Sequence, residues 1–314
     1  MPPAGRTVAA MSRVRYNRPA MPRGAIVQVA RNCAPRQSRS LGGGRAQRGE
    51  VLHMPGLQLP APSTKRLARS PLELVVCQVR HERNSAVADA KRGLAVREGL
   101  GGKSPIEDEA TGVGINIAGG LAGVTAAADQ QRGWNFRSED GAWTVVLMPD
   151  FFALETRAYT DWEDFSARLD ELVRQVEKVL EPGLERRLGL RFINRLTDPK
   201  VPVPQGWRGW IDDHLLGPAL HDAFGPALKS IQQVLQLDGG DGVEVLLRHG
   251  CLLEGAAEDQ AWHYLLDHDC SRSRGRAFSA DAIHEGAERL HELSLSVFQA
   301  SLTPKLYSHL RKGD

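Results

Sequence analysis

The sequence predicts an α+β fold, an antiparallel sheet with long packing helices. Three observations predict it. Short β-prone runs alternate with tight turn signals, the pattern of strands joined as hairpins. Residues 161–180 and 281–302 carry apolar side chains at i, i+3 and i+4 spacing, as helices packed on one side do. Each of these helices follows a run of strands, so the chain reads as two loosely similar halves, 69–200 and 201–314.

The elements follow in order. Residues 72–79 are a continuous β-prone run, typical of an interior strand. Residues 82–100 hold good helix formers (Ala86, Ala88, Ala90, Leu94, Ala95) and end in Gly99-Leu100-Gly101-Gly102. Residues 101–133 are Gly- and Ala-rich with weak periodicity, and read as a long loop or a poorly packed insertion. Residues 134–138 and 143–148 flank Glu139-Asp140-Gly141, a hairpin turn with Gly where positive φ is cheap. A further strand covers 151–159. Thr160-Asp161-Trp162-Glu163 reads as a capping box with Thr160 as the cap. The helix after it sets Trp162, Phe165, Leu169, Leu172, Val173, Val176 and Leu180 on one face and stops at Pro182-Gly183.

Residues 188–196 are the next strand, and 210–224 a broken helical stretch interrupted at Gly217-Pro218. Residues 231–237 and 243–248 flank Asp238-Gly239-Gly240-Asp241-Gly242 as a second hairpin, and 261–270 is a third strand. The helix over 281–302 buries Ile283, Ala287, Leu290, Val297 and Phe298. Thr303-Pro304 then opens a short terminal helix, with Pro at its first position.

Charge divides the chain. The formal net charge is +2, yet residues 1–49 hold ten arginines and no acid, which leaves −8 on the rest. Residues 1–68 are rich in Arg, Pro, Gly and Ser and show no regular period, so they are expected to be a disordered basic extension. Met54-Pro55-Gly56 opens a short lead-in to the first strand, and 1–53 reads as an over-extended translation start. The rival reading is a basic arm for nucleic acid or an acidic partner. A single domain is expected over 69–314. Its mildly acidic balance gives no global reason to seek nucleic acid or an anionic membrane.

No apolar run approaches the ~20 residues that span a bilayer, and the stretch 25–30 is too short for a signal core. The four cysteines (Cys33, Cys77, Cys251, Cys270) form no CxxC pair, which fits a reducing compartment. The expected location is the cytoplasm.

Pro71-Leu72-Glu73 with Val79-Arg80, Gly133-Trp134-Asn135-Phe136, Leu154-Glu155-Thr156 with Tyr159, and the run Arg187-Leu188-Gly189-Leu190-Arg191-Phe192-Ile193-Asn194-Arg195 form one ordered set of motifs. Tyr264-Leu265-Leu266-Asp267 with Asp269-Cys270, and Phe298 with Leu302-Thr303, continue it. Taken in order, they resemble a sporadically distributed family of uncharacterised bacterial proteins. The resemblance runs from about residue 69 to the end, and implies a single domain of that length. Residues 112–123 match nothing in it. The family brings no established activity, cofactor or catalytic residue.

Candidate sites are few. Gly101-Gly102-Lys103-Ser104 has the end of a phosphate-binding loop, but position 97 is Arg97 where glycine is needed, and no strand precedes it. Gly112, Gly114, Gly119 and Gly120 do not fit a dinucleotide fingerprint. GxSxG is missing, and His284 and His291, seven apart on one helix, are too far apart to chelate together. His263, Asp267 and Asp269 share one face of a strand and are weak metal-ligand candidates. The bland reading of them is a solvated strand face, with Trp262, Tyr264, Leu266 and Cys270 turned to the core.

Arg187, Arg191 and Arg195 share a strand face. So do Glu155, Arg157 and Tyr159, and so do Gln78 and Arg80. On adjacent strands, Arg80, Arg157, Arg191 and Arg195 would cluster around Glu155. Such a surface either receives an anion or partner, or is an internal ion-pair network satisfied by acids such as Glu73 and Asp150. The leading expectation is a non-enzymatic binding or regulatory protein using this Arg-rich sheet face or groove. The alternative is an enzyme acting on an anionic substrate. No cofactor is called for, and the partner is a protein or an anionic ligand.

Overall fold

A computed structural model describes residues 56–104, 106–120, 123–255 and 260–312, by backbone alone within 111–131. Of the expected extension over 1–68, residues 1–55, with Cys33 and the whole of the expected over-extended start over 1–53, lie outside the described residues.

The first half contains β1 (Leu72–His81), α1 (Ala90–Gly99), β2 (Ile106–Gly120), β3 (Gly123–Arg137), β4 (Trp143–Met148), β5 (Phe151–Thr156), α2 (Trp162–Leu180) and β6 (Leu184–Leu196). The second contains α3 (Asp213–Leu216), β7 (Gln233–Gly240), β8 (Val243–Glu254), β9 (Ala261–Arg272), β10 (Arg276–Ala277), α4 (Ala280–Ser301) and α5 (Pro304–Arg311). All ten strands join one sheet in the order β2-β3-β4-β5-β1-β6-β9-β8-β7, with β10 beside β6. Every pairing is antiparallel. The α+β class read from the sequence is therefore the observed one.

The register explains why the sheet is one-sided. Val145, Leu154, Cys77, Leu190, Cys270 and Val245 stand opposite one another across six successive strands, and all are buried. With a side-chain period of two, this fixes a continuous apolar face. Helix α2 covers its first-half side, burying Phe165, Leu169, Leu172, Val173, Val176 and Leu180. Helix α4 covers β6 and β9, burying Ile283, Ala287, Leu290, Val297 and Phe298. Close approach of α4 requires Gly286, since a Cβ there would meet the Arg272 guanidinium at 2.1 Å. That guanidinium donates to the fully enclosed Glu185 and to the Ala282 carbonyl.

Four expectations need correction. Within 101–133, expected to be a loop, residues 106–120 and 123–133 belong to the antiparallel strands β2 and β3; Gly and Ala weaken the period without preventing ladder bonds. The cap of α2 is Asp161, whose carboxylate accepts from the Asp164 N–H at 2.9 Å, and not Thr160. Residues 82–100 hold a 3-10 turn (Ser85–Ala88) before α1, separated where Asp89 caps the helix. The lead-in from Gly56 belongs to the domain: the Leu57 N–H donates to the Asp238 carbonyl at 2.7 Å, the Ser296 hydroxyl to the Pro60 carbonyl, and Gln299 bonds Ser63 twice. Leu57, Leu59 and Leu67 pack on the core, which supplies the apolar burial that composition alone hides.

Candidate functional site

The uncovered face of the sheet carries the residues singled out in the sequence. Strands β5, β1, β6, β9 and β8 are neighbours, and their registers set them in rows. One row reads Glu155, Val76, Arg191, Asp269, Leu246. The next, in one direction, reads Leu74, Ile193, Asp267, Arg248, Val234. In the other direction Arg80 stands opposite Arg187. The adjacency of the three arginine-bearing strands is as expected.

What differs is the spacing and the charge balance. Arg80, Arg191 and Arg195 are strung along the strands rather than clustered, and each has its own acid. Arg80 donates to Asp150 at 2.6 Å. Arg191 grips Asp267 with Nε and Nη2, both at 2.7 Å, and Arg248 reaches the same carboxylate at 3.4 Å. Arg187 donates to both oxygens of Asp269 at 3.0 Å and to Gln78 at 3.4 Å. Arg195 bonds Glu254, and its Nε lies 2.7 Å from Glu73 as an ion pair out of line for a hydrogen bond. His263 Nδ1 lies 3.1 Å from the same Glu254. The acids named in the sequence reading as possible compensation, Glu73 and Asp150, thus do compensate.

Two consequences follow. Asp267 and Asp269 are bound to guanidinium groups, and His263 to Glu254, so the three metal-ligand candidates face different partners. Among the described residues, no group of three or more His, Cys, Asp or Glu converges to hold a metal. Asp267, 3% exposed, is covered by the arginines it binds. Gly189 makes room for the Arg187–Asp269 pair: a Cβ there would meet Arg187 Nη1 at 2.3 Å.

Glu155 and Arg157 stand apart. Arg157 is exposed, and neither residue makes an ion pair with a described residue. Burial raises the Glu155 carboxyl above its usual range, while Arg157 and Arg191 pull against the shift. The two Asp267 bonds, in turn, hold the Arg191 guanidinium firmly charged.

A second polar group, absent from the sequence reading, lies on the buried side. His268 Nδ1 is 2.7 Å from the Ser294 hydroxyl of α4, and its Nε2 is 3.2 Å from the Asn194 amide of β6. All three are at most 5% exposed, and burial pulls His268 down to about 4. The order is that of a hydroxyl–imidazole–amide relay, but it is sealed beneath α4 with no route for a substrate. The signal was available: period two places His268 between Leu266 and Cys270, on the core face.

Two concavities are of note. One, lined by Leu100, Ser104, Trp143, Val145, Arg168 and Leu172, offers about 30 Å³, room for one or two waters. Another is an open depression of about 330 Å³ between the Gly102–Lys103 and Ser138–Asp140 turns. In the depression the Ser138 hydroxyl donates to Asp140 at 2.5 Å, and the same carboxylate accepts from the Ala142 N–H, as in a side-chain-stabilised turn. No helix among the described residues is long and apolar enough to cross a membrane.

By fold and surface, the chain is an α+β protein with a one-sided antiparallel sheet whose open side carries a lattice of paired ions. No known family model matches it, and no curated protein matches it.

Proposed function

We propose that this is a binding or regulatory protein, cytoplasmic and non-enzymatic, whose protein partner docks on the open face of the sheet between β5 and β8. The single observation behind the reading is the self-neutralised ion lattice. Five arginines on this face (Arg80, Arg187, Arg191, Arg195, Arg248) are each bonded to an acid. Side chains held this way lose little further freedom when a partner arrives, so the ordering cost of association is low. An enzyme for an anionic substrate needs the reverse, unpaired cations converging in a pocket that buries the ligand. Membership of the bacterial family resembled by the sequence belongs to the same proposal and supplies no competing activity.

The test uses two variants placed between the ion pairs, Val76→Glu and Leu246→Glu, with Arg174→Glu on the exposed side of α2 as control. Affinity capture is expected to recover a partner with wild type and the control, and to lose it with both face variants. In parallel, a thermal-shift screen covers nucleotides, phosphates and short oligonucleotides. An anion that raises the melting temperature of wild type but not of Arg191→Ala would overturn the proposal in favour of the enzyme reading.

A further inference from the structure

The β2–β3 hairpin carries an inference independent of the open face. Strand β3 pairs with β4 only from Trp134 to Arg137, and β2 has no neighbour in the sheet except β3. Residues 111–120 and 123–132 therefore run on past the sheet as a two-stranded ribbon. Among the described residues, no further strand pairs with either of its outer edges. A two-stranded ribbon alone is marginal in water. It gains stability when both edges are paired and its apolar face is covered.

The register sorts the ribbon by face, because residues two apart on a strand share a side. Val113, Ile115, Ile117 and Val124, every valine and isoleucine of these two runs, fall on one face. Asn116, Thr125, Asp129 and Gln131 fall on the other, among small residues such as Gly112, Gly114 and Ala118. The polar residues of the first face, Thr111, Gln130 and Arg132, are confined to its base. Residues 110–128 hold no ionisable side chain, and the acids Glu107, Asp108 and Glu109 come just before them.

We propose that this ribbon spans a lipid bilayer, closing with the ribbons of further copies of this chain into a transmembrane β-barrel. Three features select a bilayer over a protein partner. Each strand offers ten residues, 111–120 and 123–132, where a tilted strand needs about 9–11 to cross the hydrocarbon. The apolar face suits lipid and the small, polar face suits a water-filled interior, whereas a protein groove would use the first alone. Both edges are open, and closure pairs them, as backbone in hydrocarbon requires. The β2 edge of one copy meets the β3 edge of the next antiparallel, and head-to-tail repetition closes the ring. Such barrels begin at about eight strands, hence about four copies. One Asp129 per copy on the inner face forms a ring of carboxylates, which favours cations.

Potassium release from phosphatidylcholine vesicles tests this with the full chain. Wild type is expected to release the ion. Ile115→Asp sets a charge on the lipid face of every copy and is expected to release none. Asn116→Asp sets the same charge one residue along, on the inner face, and is expected to keep release. Should Ile115→Asp lose its folded circular-dichroism spectrum, Ala126→Asp repeats the measurement on the same face. Val76→Glu, on the open face of the sheet, is expected to keep release, so this proposal and the docking reading fail separately. In a planar bilayer of the same lipid the current is expected to prefer cations, and Asp129→Asn to weaken that preference. Cross-linking of the vesicle-bound protein is expected to give about four copies or more. Intact vesicles with wild type, equal loss in Ile115→Asp and Asn116→Asp, a current indifferent to Asp129→Asn, or a single vesicle-bound copy each overturns the proposal. So does a soluble protein that binds wild type but not Ile115→Asp while the vesicles stay intact, which would make the ribbon a docking strand.

Discussion

Asp267 shows at a single residue what the open face is built to do. Its carboxylate is 4% exposed and accepts from Arg191 and Arg248, whose own side chains are 38% and 39% exposed. Burying an acid is costly unless guanidinium groups supply the bonds that water gave. Once those bonds exist, removing the charge leaves two arginines facing each other. Asp267→Asn is therefore expected to cost about 1–3 kcal/mol, below the range for fully buried pairs because both arginines still reach water. Urea denaturation checks it, and an unchanged midpoint would show that the pairing does not contribute. The sequence made the faces legible, since period two placed Arg187, Arg191 and Arg195 together, and His263 with Asp267 and Asp269. Beyond naming Glu73 and Asp150 as possible compensation it did not reveal the pairing, because the acids that meet Arg187, Arg191 and Arg195 come from other strands at a register no local pattern encodes. Asp267 is bonded by Arg191 of β6, although Asp269 is the residue directly opposite.

Among the elements, α2 was the most legible and β2–β3 the least. The α2 pattern repeats over five turns and buries each residue it names except the half-buried Trp162. Leu169→Ala is expected to cost about 2–5 kcal/mol, the range for core leucines. The cap is a sharper test, because two adjacent residues compete for it. The Asp161 carboxylate bonds the Asp164 N–H, so Asp161→Ala is expected to cost about 1 kcal/mol and Thr160→Ala close to nothing. Thermal melts of the two variants side by side decide the cap, and the reverse order of stabilities would restore Thr160. The hairpin was missed for a physical reason. Gly112, Gly114, Gly119 and Gly120 erase the alternation from which strands are read, while the ladder itself depends only on backbone groups. The remaining strands were legible because their turns (Glu139-Asp140-Gly141, Asp238 to Gly242) carry glycines at positive φ, here Gly141 at 67° and Gly242 at 77°.

For the molecule as a whole, the one-sided sheet concentrates every buried ionisable group of the helix side into a single core, and this sets the response to acid. Burial draws His268 and His291 down to about 4, and draws His81 and His249 below their ordinary value as well. In the unfolded chain these imidazoles titrate near ~6.5. Between about pH 6.5 and 4 the unfolded chain therefore holds protons that the folded chain refuses, and each such histidine lowers stability by up to about 1.4 kcal/mol per pH unit on acidification. The stability is complete above the unfolded value and is lost as pH falls toward the folded one. Glu155 acts with the opposite sign, since its carboxyl is raised in the fold, but it is one acid against four histidines. The urea midpoint is thus expected to fall steeply between pH 7 and pH 4.5. His268→Gln should flatten part of that fall, because an amide still meets Ser294 and Asn194 but takes up no proton. His291 lies face to face with Trp162, with ring centres 4.1 Å apart, so Trp162 fluorescence offers a local reading of the same event. A midpoint that stays level across this window, or one equally steep in His268→Gln, would show that these imidazoles are not held neutral by the core.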